Sequence, residues 1–120
     1  DVPTVLRELC RDPKTLTMDQ VLKAQEMGDM AVGNIIADAI EYLGIALANT
    51  INLISPRAIV LEGRILSTPK NQARMIQTVE QYMFHIHSGM TDFTFLPYDP
   101  DRGARAAASV VVKEFLGRPL

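Results

Sequence analysis

The sequence predicts an α/β chain, rich in helix and carrying a short parallel sheet. Three observations lead there. Apolar residues recur at helical spacing along most of the chain, two short apolar runs break that rhythm, and a helical pattern lies between the two runs. A strand–helix–strand unit with apolar strands implies parallel pairing and a right-handed crossover.

Val5, Leu6, Leu9 and Cys10 share one face of a short helix over 4–11, which Asp12-Pro13 closes. Thr17 and Gln20 have the spacing of a capping box, opening a second helix from Met18 to about Met27 that ends at Gly28. Asp29 is placed to cap a third, long helix whose apolar positions run from Met30 to Ile54. Its first half is amphipathic. From Leu43 onward apolar residues spread around the circumference, as in a helix buried on most sides. Ser55 should end it, because the residue before Pro56 is pushed out of the helical region. The stretch from Ile35 to Ile54 matches a membrane span in length, but it holds Asp38, Glu41, Asn49 and Asn52, so a buried core helix accounts for it better.

Ala58 to Leu61 is a continuous apolar, β-branched run, the pattern of a strand covered on both faces. Glu62-Gly63-Arg64 forms a tight loop, and Thr68-Pro69 supplies an N-cap and first helical residue. The next helix, from Asn71 to Ile86, presents Met75, Ile76, Val79, Tyr82, Met83 and Ile86 on one face, and Ser88-Gly89 breaks it. Phe93 to Leu96 is the second strand, and Asp99-Pro100-Asp101 a turn. A last helix shows Ala104, Ala107, Ala108, Val111, Val112, Phe115 and Leu116 as one apolar series before Gly117 and Pro119. Two strands make too small a sheet for a self-contained α/β domain. A further lobe or an obligate partner is therefore expected to cover the sheet and the rest of the long helix.

With 120 residues the chain fits one domain or one lobe of a larger one, long enough for a real core. A formal net charge of −2 with scattered Lys and Arg gives no footprint for nucleic acid, so no direct DNA contact is expected. Cys10 stands alone, which excludes an internal disulfide and a cysteine zinc cage and suits a reducing cytoplasm. The start at Asp1-Val2-Pro3-Thr4 shows no secretory pattern, and the lack of an initiator Met reads as a processed or truncated start.

The stretch Glu41-Tyr-Leu-Gly-Ile-Ala-Leu-Ala-Asn-Thr-Ile-Asn-Leu-Ile-Ser-Pro-Arg-Ala-Ile-Val-Leu61 resembles the signature of the ROK (repressor, open reading frame, kinase) family, in which a "YLGxxLANxxNLxxP" helix leads into an "xxIVLGG" strand. Gly28-Asp29-Met30-Ala31 is similar to the family's "GDxxA" helix start, and Asp101 to Ala108 to its closing Gly-Ala-Ala helix. The resemblance runs from about Gly28 to Leu116, with two short helices over 1–27 ahead of it. It implies the C-terminal lobe of an actin-like (ribonuclease H-like) ATPase fold, from sugar kinases or sugar-responsive repressors that form dimers or tetramers. It also implies that the sugar site, catalytic Asp, phosphate loop, zinc site and any winged helix lie N-terminal to this chain.

Two glycines are the candidate nucleotide contacts. Gly63 follows the first strand, where open α/β folds place ligands and where the family's loop is glycine-rich. Here Glu62 replaces the first glycine and Arg64 follows the second, so a carboxylate faces the expected phosphate. Gly103 opens the last helix, with Arg102 and Arg105 beside it. For both, the plainer readings are a turn glycine and a helix start with solvent-facing arginines.

Other candidates carry less. His85 and His87 are two apart, the wrong spacing for a helical metal pair, and read as helix-end histidines. Cys10 reads as a small core residue, Asp38 with Glu41 as a solvated face, and Asn49 with Asn52 as amides tying the long helix to a neighbouring backbone. No residue is expected to be catalytic and none to bind metal.

Together these readings favour a fragment of a cytoplasmic, sugar-responsive ROK regulator that completes an effector-binding fold and supports homo-oligomers. Its partners would be the N-terminal lobe, further copies and a sugar effector, with no membrane. The alternative is the same lobe of an ATP-dependent sugar kinase; ATP enters only in that case, and this piece holds no cofactor of its own. A stand-alone interaction module is the third option.

Overall fold

The computed structural model describes residues 3–87 and 89–115. The chain is α/β: α1 (Leu6–Leu9), α2 (Met18–Glu26), α3 (Met30–Ile54), β1 (Ala58–Glu62), α4 (Pro69–Tyr82), β2 (Asp92–Leu96) and α5 (Arg102–Phe115). Short 3-10 turns cover Pro13–Thr15, Arg64–Ser67 and His85–His87. The expected break at Ser88 and the stop at Leu116, Gly117 and Pro119 lie outside the described residues.

Local chemistry explains the helix starts. Thr17 and Gln20 form the reciprocal capping box, with Gln20 N–H donating to Thr17 Oγ1 at 3.3 Å and Thr17 N–H to Gln20 Oε1 at 2.9 Å. Asp29 caps α3 by accepting from Val32 N–H at 3.0 Å. Its other oxygen accepts from Thr4 Oγ1 at 2.5 Å and Val5 N–H at 2.7 Å, fastening the first segment to the long helix. The Thr4 hydroxyl foremost, then the Val32 N–H, hold this carboxyl below its ordinary pKa, against the opposing effect of burial. Thr68 caps α4, with Pro69 at the first helical position. At the other end of α3, Ser55 adopts a left-handed conformation (φ 52°) and its N–H reaches Ile51 O at 2.9 Å.

The core lies along one stripe of α3. Val32, Ile36, Ile40, Gly44, Ala48 and Ile51 are buried there, facing Met75, Thr78 and Val79 of α4 and Ala24 of α2. Gly44 permits the close α3–α4 approach, since a Cβ at that position would sit 2.5 Å from Thr78 Cγ2. The glycine of the Tyr42-Leu43-Gly44 segment is thus a packing residue. Asn71 is buried and joins three elements: it exchanges hydrogen bonds with Gln25 of α2 at 2.8 and 3.0 Å and donates to Ile65 O at 2.8 Å.

β1 and β2 pair in parallel, with Ala58 opposite Asp92 and Glu62 opposite Leu96. Ile59, Leu61, Phe93 and Phe95 point to the core, whereas Ala58, Val60 and Thr94 are exposed. The apolar run of β1 suggested cover on both faces; among the described residues only one face is covered. α3 departs from expectation in the same way. It is long and apolar enough to cross a bilayer, yet Ile35, Tyr42, Leu53 and Ile54 stay mostly exposed beside its buried stripe. The described part of α5 contains no buried residue. A Cα radius of gyration of 18.1 Å exceeds the roughly 14 Å of a compact chain of this length, as expected when α5 projects from the core.

Candidate functional site

The parallel register brings the carboxyl ends of β1 and β2 out side by side, at Glu62 and Leu96. Beyond β1 the chain turns at Gly63 into the 3-10 turn at Arg64; beyond β2 it runs through Pro97–Asp101 into α5. Gly63 and Gly103, far apart in sequence, are therefore brought to one end of the sheet. Their neighbours bind them together: Glu62 Oε2 lies 3.1 Å from Arg102 Nε.

Glu62 does more than face solvent. Its Oε1 accepts from the Asp99 N–H at 2.9 Å, so one carboxylate holds both the turn after β2 and the first residue of α5. Arg102 also donates through Nη2 to Pro97 O at 2.9 Å. Asp99 in turn accepts from Asp101 N–H at 2.9 Å and pairs with Arg105. Arg64 completes the cluster by pairing with Asp19 of α2 at 2.6 Å and lying 4.5 Å over the Tyr98 ring. Arg105 faces solvent as expected, at 67% exposure, and Arg102 is half-buried; both are also tied to carboxylates, so each arginine at this end has an acidic partner.

The two glycines are not demanded by the backbone or by packing. Gly63 is extended (φ 164°, ψ 149°), and a Cβ at Gly63 or Gly103 would meet nothing within 4 Å. Space is open above both, so neither serves a close chain–chain contact of the kind seen at Gly44.

An open groove of about 710 Å³ lies elsewhere, between α2 and the start of α4. Lys23 and Lys70 line it together with Asp19 and Glu26, a mixture of signs that selects for no one ligand charge. His87 Nδ1 lies 3.2 Å from Ser55 Oγ, and His85 and His87 occupy a 3-10 turn after α4 rather than the end of a helix reaching Ile86. Among the described residues no three His, Cys, Asp or Glu side chains are grouped to hold a metal. Cys10 is half-buried with Sγ 3.0 Å from Asp12 O, outside the apolar core where the sequence placed it.

Asn52 behaves as expected for a tying amide. It accepts from Phe84 N–H at 2.7 Å and donates to Tyr82 O at 3.4 Å, holding the chain that leaves α4. Asn49 does not share that role and is exposed. Glu41 is engaged as well, accepting from Tyr82 Oη at 3.1 Å, which raises the tyrosine pKa. The roles of Tyr98 and Asp99 went unread in the sequence. The Asp99 to Arg105 charge pattern was visible, but its partner Glu62 lies 37 residues before Asp99 and only strand pairing brings them together.

The family model of the ROK family matches residues 4–114, nearly the whole chain. The chain belongs to the ROK family. The match begins ahead of Gly28, where the resemblance began, so α1 and α2 are part of the ROK region too. No curated protein matches the chain.

Proposed function

We propose that this chain is the C-terminal lobe of a cytoplasmic, sugar-responsive ROK transcriptional regulator, working through architecture and assembly rather than chemistry. The observation that carries this reading is the neutralised end of the sheet. Arg64, Arg102 and Arg105 are each paired with a carboxylate, and Glu62 stands where a phosphate would approach. A phosphate entering there meets a carboxylate and must compete for every guanidinium.

Under this reading the lobe completes an actin-like (ribonuclease H-like) fold with an N-terminal lobe that carries the sugar-effector site. The exposed faces of α3, β1 and α5 then meet that lobe or further copies in a homo-oligomer. DNA contact belongs to segments outside this chain, since its charge is balanced. A membrane role is disfavoured for α3, whose buried stripe packs on α2 and α4.

The test is a phosphotransfer assay on the full-length protein with ATP and a panel of hexoses. No turnover, together with sugar-dependent release of operator DNA, is expected. Hexose phosphorylation at ordinary kinase rates, on the order of 1–100 per second, sinks the regulator reading. That result would favour the alternative, the corresponding lobe of an ATP-dependent sugar kinase. One observation speaks for it: the open space at Gly63 and Gly103, which leaves room for a nucleotide.

A further inference from the structure

We infer that Glu62 is a positioning residue, the pivot of an electrostatic joint that sets the direction of α5. The described part of α5 has no buried residue, so packing along its length does not hold it. The contacts among the described residues that fix it lie at its base. Glu62 accepts from Asp99 N–H at 2.9 Å and pairs with Arg102 at 3.1 Å, Arg102 reaches Pro97 O at 2.9 Å, and Asp99 pairs with Arg105. The last strand residue of β1 thereby grips the turn and the first helical turn of α5 with both carboxylate oxygens.

The grip is partly shielded. The Glu62 and Asp99 side chains are 24% exposed and that of Arg102 31%, so the pairs are screened less than free surface pairs yet remain open to salt. The apolar residues of α5, Ala104, Ala108, Val111 and Phe115 among them, are all exposed. Glu62, the residue that most departs from a glycine-rich loop, thus has a mechanical role of its own. That role holds whether the parent is a regulator or a kinase.

The joint is tested by electron–electron distance measurement on the full chain, in a Cys10→Ser background, with nitroxides on Glu80→Cys of α4 and Ser109→Cys of α5. A single narrow distance peak is expected in the background. Glu62→Ala should lose that peak to a broad distribution, Glu62→Gln, which keeps an acceptor for Asp99 N–H, should broaden it less, and the double exchange Glu62→Arg with Arg102→Glu should narrow it again. A control pair on Glu26→Cys and Glu80→Cys should not change in any of them. An unchanged α4–α5 peak in Glu62→Ala overturns the proposal, and so does equal broadening of the control pair. If Glu62→Ala fails to fold, salt decides: raising NaCl to about 1 M, where the screening length falls to about 3 Å, should broaden the α4–α5 peak of the background, and a constant width overturns the joint.

Discussion

The α3–α4 pair and the α5 arm are both helical and both rich in apolar residues, yet one forms the core and the other lies open. Along α3 and α4, Ile40, Ile51, Met75 and Val79 are almost completely buried, and Gly44 lets the two backbones close on Thr78. Along α5, Val110, Val111, Val112 and Phe115 are more than half exposed, and charged contacts at the base hold the helix. Apolar periodicity identifies the face that seeks burial. It does not say whether the covering surface belongs to the same chain.

The sharpest way to break this comparison is to truncate one large side chain in each region. Met75→Ala should cost about 2–5 kcal/mol, the usual range for emptying a core position. Phe115→Ala should change the stability of this chain by no more than about 0.5 kcal/mol, as at an exposed site. Urea midpoints for the two variants decide the matter. Equal losses would mean that Phe115 is packed in solution and that the two helices do not differ.

A second contrast uses glycines. Gly44→Ala puts a methyl 2.5 Å from Thr78 Cγ2, and overpacking of that kind costs about 1–3 kcal/mol. Gly63→Ala and Gly103→Ala place theirs in open space and should stay within about 0.5 kcal/mol of the parent. Thermal melts of the three variants sort the glycine that packs from the two that do not. A large loss at Gly63 would show that its extended backbone needs glycine after all.

Much of this fold was legible because the deciding interactions are local. The Thr17–Gln20 capping box, the Asp29 cap and Thr68-Pro69 each act within one helical turn, so spacing alone located them. Both strands were found within one residue of their ends, and their parallel pairing followed from the helix between them. What spacing could not supply was contact across distance. Asn71 gave no signal of being buried against Gln25, and Glu62 gave none of holding Asp99 and Arg102. Gly63 and Gly103 lie far apart in sequence, and only the strand register brings them to one end of the sheet. The overestimated burial of β1 and α3 has a different cause. Their composition records a requirement for cover that the described part of this chain does not meet.

A smaller effect probes the junction between the first segment and α3. Thr4, Val32 and Val5 stabilise the ionised Asp29, so its folded pKa lies below the unfolded value of about 3.9. A depressed carboxyl pKa contributes stability that is present above the unfolded value and lost as pH falls through the folded one. Stability should therefore decline below about pH 4, and Asp29→Asn should remove this part of the acid slope while keeping an oxygen to cap Val32. An identical acid limb in the variant would show that the Asp29 charge is not what fastens the segment. That measurement separates the anchored start of the core from the ion-paired base of α5.

The smallest expected effect lies at the alkaline end, where α3 and α4 meet solvent. Tyr82 Oη donates to Glu41 Oε1 at 3.1 Å, and the hydrogen bond and the adjacent carboxylate charge both raise the tyrosine pKa above about 10. A raised pKa contributes stability that is complete below the unfolded value and fades as pH rises through the folded one. Because the pair is exposed, its contribution is small and best seen as a difference: Tyr82→Phe should leave stability near pH 7 almost unchanged and flatten the decline above about pH 10. Glu41→Gln should instead return the Tyr82 titration, followed by its ultraviolet absorbance, toward the ordinary value. If the titration does not move, the contact between the two helices ends at the buried stripe, and the exposed rim of α3 is as uncovered among the described residues as the apolar residues of α5.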